Sequence, residues 1–142
     1  MAKAKAVVKQ LEGITFAGKA GSNNWVMMDG PADFGGSGAA IRPKELLLLS
    51  LGGCTGSDVA SILQKKRVKL DGFEMNIEAD MSEDHPKVYT KINIEYVFYG
   101  KDIKEADVER AIELSQTKYC GVTAMLQKAM EITHSFRIEE SK

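Results

Sequence analysis

The sequence contains little cysteine, histidine or proline, and charge of neither sign predominates. Its 142 residues include two cysteines, two histidines and three prolines. Two cysteines are too few for the disulfide framework of a small secreted protein. The 19 basic and 20 acidic residues nearly cancel, which argues against a surface that binds nucleic acid. A chain of this length can form one domain with its own core. We therefore expect a single domain over residues 1–142 and no nucleic-acid partner.

The apolar segments also bear on the compartment. Residues 1–8 are basic but lack the long apolar segment of a signal peptide. Residues 46–63 are apolar enough to suggest a membrane helix, but they include glycines and the polar residues Ser50, Thr55, Ser57 and Asp58, which oppose spanning. We therefore expect a cytoplasmic protein without a membrane partner.

The hydrophobic pattern predicts an α+β fold. Strands at residues 6–11, 14–17 and 25–28 form an N-terminal meander, and alternating apolar residues predict a long hairpin from 73–81 and 88–98. Helical spacing predicts helices at residues 43–66, 104–118 and 122–130. Alternation at residues 134–138 predicts a closing strand. Strands and helices do not alternate regularly, which favours α+β over α/β. The glycine-rich residues 33–40 are predicted to form a mobile linker.

One predicted helix is apolar on nearly every side and carries a cysteine. Cys54 follows the run ELLLLSLGG and is flanked by glycines, Thr55 and Ser57. Such a helix belongs in a protein core rather than on a surface. Cys120 lies in a similar setting, between Tyr119 and Gly121. Small neighbours leave room for a substrate, and nearby hydroxyls can donate hydrogen bonds to sulfur.

Two interpretations of these thiols follow from the residues alone. Buried cysteines commonly serve as small, inert hydrophobic residues. If the two sulfur atoms meet, however, one thiolate can attack a peroxide, form a sulfenic acid and condense with the second thiol. An external thiol would then reduce the disulfide. Thiolate formation requires a positive group, and Arg42 and Lys44 are candidates by charge.

A metal site is a further alternative. Cys54, Cys120, His85 and His134 supply the residue types of a Cys2His2 site, but no pair has the short ligand spacing of a zinc motif. The glycines of residues 35–38 match no phosphate-binding fingerprint. We therefore expect neither a metal nor a cofactor.

Two motifs resemble the OsmC/Ohr family of bacterial thiol peroxidases. They are PKELLLLSLGGCTGSDV at residues 43–59 and KYCGVT at residues 118–123. The resemblance implies an OsmC-like fold, in which antiparallel sheets wrap around two central helices in an intertwined homodimer with active sites at the interface. It also implies a hydroperoxide substrate, a dithiol reductant, and a role in oxidative or osmotic stress defence. In that scheme Cys54 attacks the peroxide and Cys120 resolves the intermediate.

The sequence departs from the best-studied members of that family near the start of the helix. Those members use a glutamate there to hold an essential arginine, whereas Lys44 occupies the position here and Glu45 follows it. Arg42 is the only arginine before Cys54, so Arg42 and Glu45 are the candidates for activating or orienting that thiol. Two other hypotheses stay open. One is a non-peroxidatic relative that binds a small apolar or thiol-reactive ligand at the dimer interface. The other is a structural module with two inert thiols.

Overall fold

The computed structural model describes residues 2–140, and these contain two three-stranded sheets and three α-helices, which confirms the α+β class. Contacts divide the chain into two compact units, residues 1–48 and 49–142. The prediction of one domain over the whole chain stays a prediction. The elements are, in chain order, β1 (Ala6–Glu12), β2 (Thr15–Ala20), β3 (Trp25–Met28), α1 (Glu45–Lys65), β4 (Gly72–Met81), β5 (Tyr89–Tyr99), α2 (Glu105–Leu114), α3 (Gly121–Leu126) and β6 (Glu131–Glu139).

The first unit contains the predicted meander. Strands β1, β2 and β3 pair in sequence order and antiparallel, with Phe16 opposite Met28. After β3, the loop predicted as a mobile linker is organised around the buried Asp29 carboxylate. This carboxylate accepts hydrogen bonds from the backbone N–H groups of Gly30 and Ala39, and from both the N–H and the hydroxyl of Ser37. These bonds, led by the Ser37 hydroxyl, hold the pKa of Asp29 well below its usual range.

Helix α1 begins with a local cap. The Glu45 carboxylate accepts a hydrogen bond of 2.8 Å from the backbone N–H of Arg42, which is half of a capping box. The Arg42 guanidinium donates to the carbonyl of Ala40 at 3.2 Å. Pro43 suits the first turn, since it has no N–H to leave unpaired. The helix predicted over residues 43–66 is therefore confirmed, and the roles of Arg42 and Glu45 toward Cys54 stay predictions.

The second unit contains the other sheet, in which the strand order is β4-β5-β6. The predicted hairpin of β4 and β5 is antiparallel, with Met75 opposite Tyr96. Strand β6 pairs with β5 in parallel, with Tyr96 opposite Phe136. The expectation of antiparallel sheets is therefore wrong for β6. The helical segment between β5 and β6 carries the chain back along the sheet, so β6 runs in the same direction as β5.

Helix α1 packs closely against one face of this sheet. A Cβ atom added at Gly52 would lie 2.8 Å from Cδ1 of Ile77, and one added at Gly56 would lie 2.6 Å from Cε of Met75. The two glycines therefore allow the helix backbone to approach β4. By length and composition alone α1 could cross a membrane. In this structure it lies on the apolar face of the sheet and buries six residues, including Leu51, Thr55 and Val59.

The helices after β5 differ in extent from their predictions. The helix predicted over residues 104–118 is α-helical over Glu105–Leu114 and continues as one π-helical turn over Ser115–Tyr119. The helix predicted over 122–130 ends at Leu126. The predicted closing strand, 134–138, lies within β6. The π-helical turn leads directly into Cys120, and such turns are frequent at functional sites.

A dithiol and carboxylate cluster as the candidate active site

The two cysteines come together in the second unit, beside an aspartate. The Sγ atoms of Cys54 and Cys120 and a carboxylate oxygen of Asp58 all lie within 4.8 Å of one another. Both thiols are free. Cys54 is half-buried, whereas Cys120 is only 4% exposed. The two sulfur atoms therefore meet, which is the condition that the redox interpretation of the sequence required, and their catalytic roles stay predictions.

Local helix geometry explains how these three side chains meet. Cys54 and Asp58 are four residues apart on α1, so they project from the same face of that helix. Cys120 follows the π-helical turn, and its backbone N–H donates to the carbonyl of Ser115 at 2.8 Å. It is also the N-cap of α3, where its Sγ accepts a hydrogen bond of 3.3 Å from the backbone N–H of Thr123. The sulfur is therefore held by the start of a helix.

A chain of hydrogen-bonded side chains runs from the sheet to the Asp58 carboxylate. Nε2 of Gln116 lies 2.8 Å from the Tyr96 hydroxyl, which lies 2.6 Å from Oγ1 of Thr55. Thr55 Oγ1 lies 2.7 Å from Oγ of Ser115, and that hydroxyl lies 3.0 Å from Oδ2 of Asp58. Thr55, Tyr96 and Ser115 are fully buried. These hydrogen-bonded side chains thus connect α1, β5 and the π-helical turn.

The Asp58 carboxylate at the end of this hydrogen-bonded series determines which group donates in each hydrogen bond. An ionised carboxylate only accepts, so Ser115 must donate its single proton to Asp58. Thr55 must then donate to Ser115, and Tyr96 to Thr55, while the Tyr96 oxygen accepts from the Gln116 amide. Bonds aligned in one direction polarise and strengthen one another. The chain therefore fixes the orientation of the Asp58 carboxylate beside the two thiols.

Burial keeps two groups of the site protonated at neutral pH. Burial raises the pKa of the Tyr96 phenol more than its hydrogen bonds with Thr55 and Gln116 lower it. Burial likewise raises the pKa of the Cys120 thiol above its ordinary value of 9.0. Hydrogen bonds from Thr123 oppose this shift, and the neighbouring Cys54 adds to it. Cys120 is therefore a thiol, rather than a thiolate, in the resting protein.

This difference in burial predicts the order in which the thiols are alkylated. In the native, reduced protein at neutral pH, iodoacetamide is expected to modify Cys54 first, because only the thiolate reacts and Cys120 is both buried and protonated. Because the pKa of Cys120 is raised, its thiolate forms only above the ordinary value of 9.0. Labelling of Cys120 should therefore accelerate as the pH rises past that value. Peptide mass spectrometry at successive times distinguishes the two sites, and denatured protein is the control. Equal labelling rates in the native protein at pH 7 would contradict this assignment.

A cavity of about 430 Å³ opens beside Asp58, which is the member of the cluster that lines it. Apolar atoms of Ile62, Leu114 and Tyr119 line one part of it, and Lys65 and Lys66 supply positive charge. Such a mixed lining suits a small organic molecule with an apolar body and a polar or anionic group.

Two histidines considered as metal ligands do not join the cluster. His85 lies in the connection between β4 and β5, and His134 lies within β6. Among the described residues, the group of potential ligand atoms around the thiols contains only the two cysteines and Asp58. Asp58 was not among the site residues predicted from the sequence. The sequence feature that could have identified it is a carboxylate one helical turn after Cys54, on a largely apolar helix.

Comparison with known proteins shows the family to which the chain belongs. The sequence model for OsmC-like protein matches residues 35–135. Protein YhfA of Escherichia coli (strain K12) is 40% identical over 134 residues, which are 94% of this chain and 97% of YhfA. Among solved structures, a hypothetical protein from Aquifex aeolicus VF5 is 31% identical, with all of both chains covered and a TM-score of 0.86.

A more distant structure shares the fold alone. The organic hydroperoxide resistance protein OsmC from Legionella pneumophila is 12% identical, and the match covers 100% of this chain and 98% of the other, with a TM-score of 0.66. The family match, the identity to YhfA and the shared fold agree with the two cysteine motifs of the sequence. The chain therefore belongs to the OsmC/Ohr family.

Proposed function

We propose that this protein is a thiol-dependent peroxidase that reduces organic hydroperoxides. The observation that supports this function best is the approach of the Cys54 and Cys120 sulfur atoms to within 4.8 Å, beside a cavity. A disulfide requires an S–S distance of about 2.05 Å, so the two side chains must rotate toward each other to join. The Legionella protein of the same fold is an organic hydroperoxide resistance protein, which is consistent with this chemistry.

In the first step, the Cys54 thiolate attacks the terminal oxygen of the hydroperoxide. The O–O bond breaks as the S–O bond forms, so Cys54 becomes a sulfenic acid and the organic part leaves as an alkoxide, which is protonated to the alcohol. The sulfur is oxidised by two electrons and the peroxide is reduced by the same two. Cys54 is assigned this role because it is the more exposed of the two thiols.

In the second step, Cys120 displaces hydroxide from the Cys54 sulfenic acid. The S–S bond forms, the S–O bond breaks, and the hydroxide leaves as water. Cys120 must lose its proton for this attack, although burial raises its pKa. We assign Asp58 as the group that accepts this proton and passes it to the leaving hydroxide, since its carboxylate oxygen lies near both sulfur atoms. A dithiol reductant then reduces the disulfide by thiol exchange and is itself oxidised.

The test is a stoichiometric titration of the reduced protein with cumene hydroperoxide, in the absence of any reductant. We expect one equivalent of peroxide to remove both thiols of each chain and to yield one equivalent of cumyl alcohol. Peptide mapping without reduction should then show Cys54 joined to Cys120 within one chain. A dithiol should restore both thiols.

The matched control is the same titration with protein whose thiols were first blocked by N-ethylmaleimide, which should leave the peroxide unchanged. Loss of thiols without formation of alcohol would argue against peroxide reduction. Retention of both thiols in excess hydroperoxide would remove the basis of the proposed function.

We also propose that the protein is a cytoplasmic homodimer that acts in oxidative or osmotic stress defence. Members of the OsmC/Ohr family are commonly dimeric and generally soluble. Several large apolar side chains are exposed in the single chain, among them Val8, Leu11, Trp25, Leu47 and Leu49. Exposed apolar side chains in such numbers are typical of a surface that pairs with another.

A second candidate is a non-peroxidatic protein that binds a small apolar or thiol-reactive ligand. The mixed apolar and cationic lining of the cavity beside Asp58 favours this alternative, as does Lys44 at the position where well-studied members of the family have glutamate. In the titration with cumene hydroperoxide, such a protein would keep both thiols. It would instead gain thermal stability from a bound ligand, since binding to the folded state alone stabilises that state.

A further inference from the structure

We propose that the Sγ atoms of Cys54 and Cys120 and the carboxylate of Asp58 form a Zn²⁺ site in the reduced protein. The fourth position would stay open toward the cavity beside Asp58. This inference requires only the reduced dithiol and the carboxylate, so it stands or falls independently of peroxide turnover.

The separations of the three ligand atoms fit tetrahedral zinc. Zinc lies about 2.3 Å from thiolate sulfur and about 2.0–2.2 Å from carboxylate oxygen. In a tetrahedral site, two such sulfur atoms are then about 3.8 Å apart, and sulfur and oxygen are about 3.6 Å apart. The three atoms already lie within 4.8 Å of one another. Adjustments of about 1.2 Å or less would therefore complete the coordination.

Surrounding groups orient the ligands as an outer coordination shell would. Oδ2 of Asp58 accepts from Ser115 at the end of the directed hydroxyl chain, which leaves its other oxygen for a metal. The backbone N–H of Thr123 donates to Sγ of Cys120. Such outer partners fix the direction of ligands and typically change metal affinity by 10- to 100-fold.

One buried hydroxyl favours the thiolate form of Cys120, which is the form that a metal binds. Oγ1 of Thr123 is buried and makes no hydrogen bond of ordinary geometry with any described residue, but its side chain interacts with the Cys120 sulfur and lowers the pKa of that thiol. Buried hydroxyls without a partner are rare and costly. When Cys120 becomes a thiolate, as metal binding requires, this hydroxyl can donate to the sulfur and the cost is removed.

The ligand chemistry favours zinc over harder cations. Two thiolates and one carboxylate suit borderline-soft and soft metals, whereas Mg²⁺ and Ca²⁺ prefer oxygen ligands alone. Binding displaces one proton from each thiol, so that two S–H bonds are exchanged for two Zn–S bonds without any change in oxidation state. Three protein ligands and one open position are the pattern of exchangeable rather than purely structural zinc sites. The bound metal would also withhold Cys54 from peroxide.

The test uses Co²⁺ as a spectroscopic substitute for Zn²⁺, added to the full-length, metal-free, reduced protein under anaerobic conditions. We expect one Co²⁺ per chain, a thiolate-to-cobalt charge-transfer band in the near ultraviolet, and the visible bands of tetrahedral cobalt. One equivalent of Zn²⁺ should abolish this spectrum, whereas excess Mg²⁺ should leave it unchanged. A spectrum without thiolate charge transfer would overturn the proposal.

Variants assign the ligands. Cys54→Ser and Cys120→Ser should each weaken Co²⁺ binding at least about 100-fold and halve the charge-transfer intensity per bound metal. Asp58→Asn should weaken it about 10- to 100-fold, because its amide oxygen can still accept from Ser115 but the anionic ligand is lost. Asp80→Asn, on the polar face of β4, is the matched control and should bind as the wild type does.

A second sample keeps the test informative if a cysteine variant does not fold. Wild-type protein oxidised with diamide to an internal disulfide should bind no Co²⁺ and should regain binding after reduction. Binding that survives both oxidation and Asp58→Asn would place the metal elsewhere. Peroxide turnover without metal binding would refute this proposal alone, and metal binding without turnover would refute only the peroxidase.

Discussion

Replacing Cys54 with serine is expected to abolish the consumption of hydroperoxide, lowering kcat/KM by at least about 10³-fold. A serine hydroxyl is not ionised at neutral pH and cannot accept the peroxide oxygen to form a sulfenic acid. The variant Cys120→Ser should behave differently. Without reductant it should reduce a first equivalent of peroxide rapidly and a second only slowly, because the sulfenic acid on Cys54 has no second thiol with which to condense and is left to be oxidised further. Steady-state and single-turnover assays with cumene hydroperoxide and a dithiol distinguish the two results.

The two cysteines serve as each other's controls in this experiment. Both variants exchange sulfur for oxygen in the same cluster, so any difference between them reflects chemical role rather than the substitution itself. With excess peroxide, Cys120→Ser should accumulate sulfinic acid at Cys54, which mass spectrometry detects. Full turnover in Cys54→Ser would exclude the proposed nucleophile. Unchanged turnover in Cys120→Ser would exclude Cys120 as the resolving thiol and indicate direct reduction of Cys54 by the external thiol.

The second large effect concerns assembly. The protein is expected to sediment and scatter light as a particle of twice the 15.6 kDa chain mass, because α1 carries exposed leucines. Leu47 is 42% exposed and Leu49 is 58% exposed in the single chain. Apolar side chains favour burial, so another surface is expected to cover them. Burying each such side chain contributes about 1.5–3 kcal/mol. The variant Leu49→Glu is therefore expected to dissociate the dimer or to lower its melting temperature strongly.

Ala106→Glu is the matched control for that variant. It places the same charge at an exposed position in the first turn of α2, where a carboxylate is favourable to the helix. It should leave both mass and melting temperature nearly unchanged. A wild-type protein that remains monomeric at high micromolar concentration would contradict the proposed dimer, as would Leu49→Glu with an unaltered dimer.

Local pattern predicted most of the elements but not how they end or pair. The alternation through β4 and β5 and the apolar run of α1 are visible in the sequence. Each pattern depends on residues that are close together in the chain, within one helical turn or along one strand. The antiparallel direction expected for β6 came from the family resemblance, and the sequence pattern could not correct it, because period-2 alternation is the same in parallel and antiparallel strands. The helix after Cys120 ends at Leu126. It was predicted to continue to residue 130 because its apolar stripe continues past the point where the backbone turns toward β6.

Asp58 illustrates a different limit. A carboxylate on an apolar helix is visible in the sequence, and it was interpreted only as a reason against membrane insertion. Its importance depends on Ser115, 57 residues later in the chain, which donates to its Oδ2. No spacing rule connects two residues so far apart.

The sequence by itself determined the α+β class, the apolar helix that carries Cys54, and the two motifs that identify the family, because each depends on residues that are neighbours in the chain. Only the tertiary structure decided that both sulfur atoms and the Asp58 carboxylate share one cluster. It also decided that a directed chain of hydroxyls ends at that carboxylate. The physical reason is that these contacts arise where α1 and the π-helical turn pack together over β5, and packing depends on the summed burial of many distant side chains.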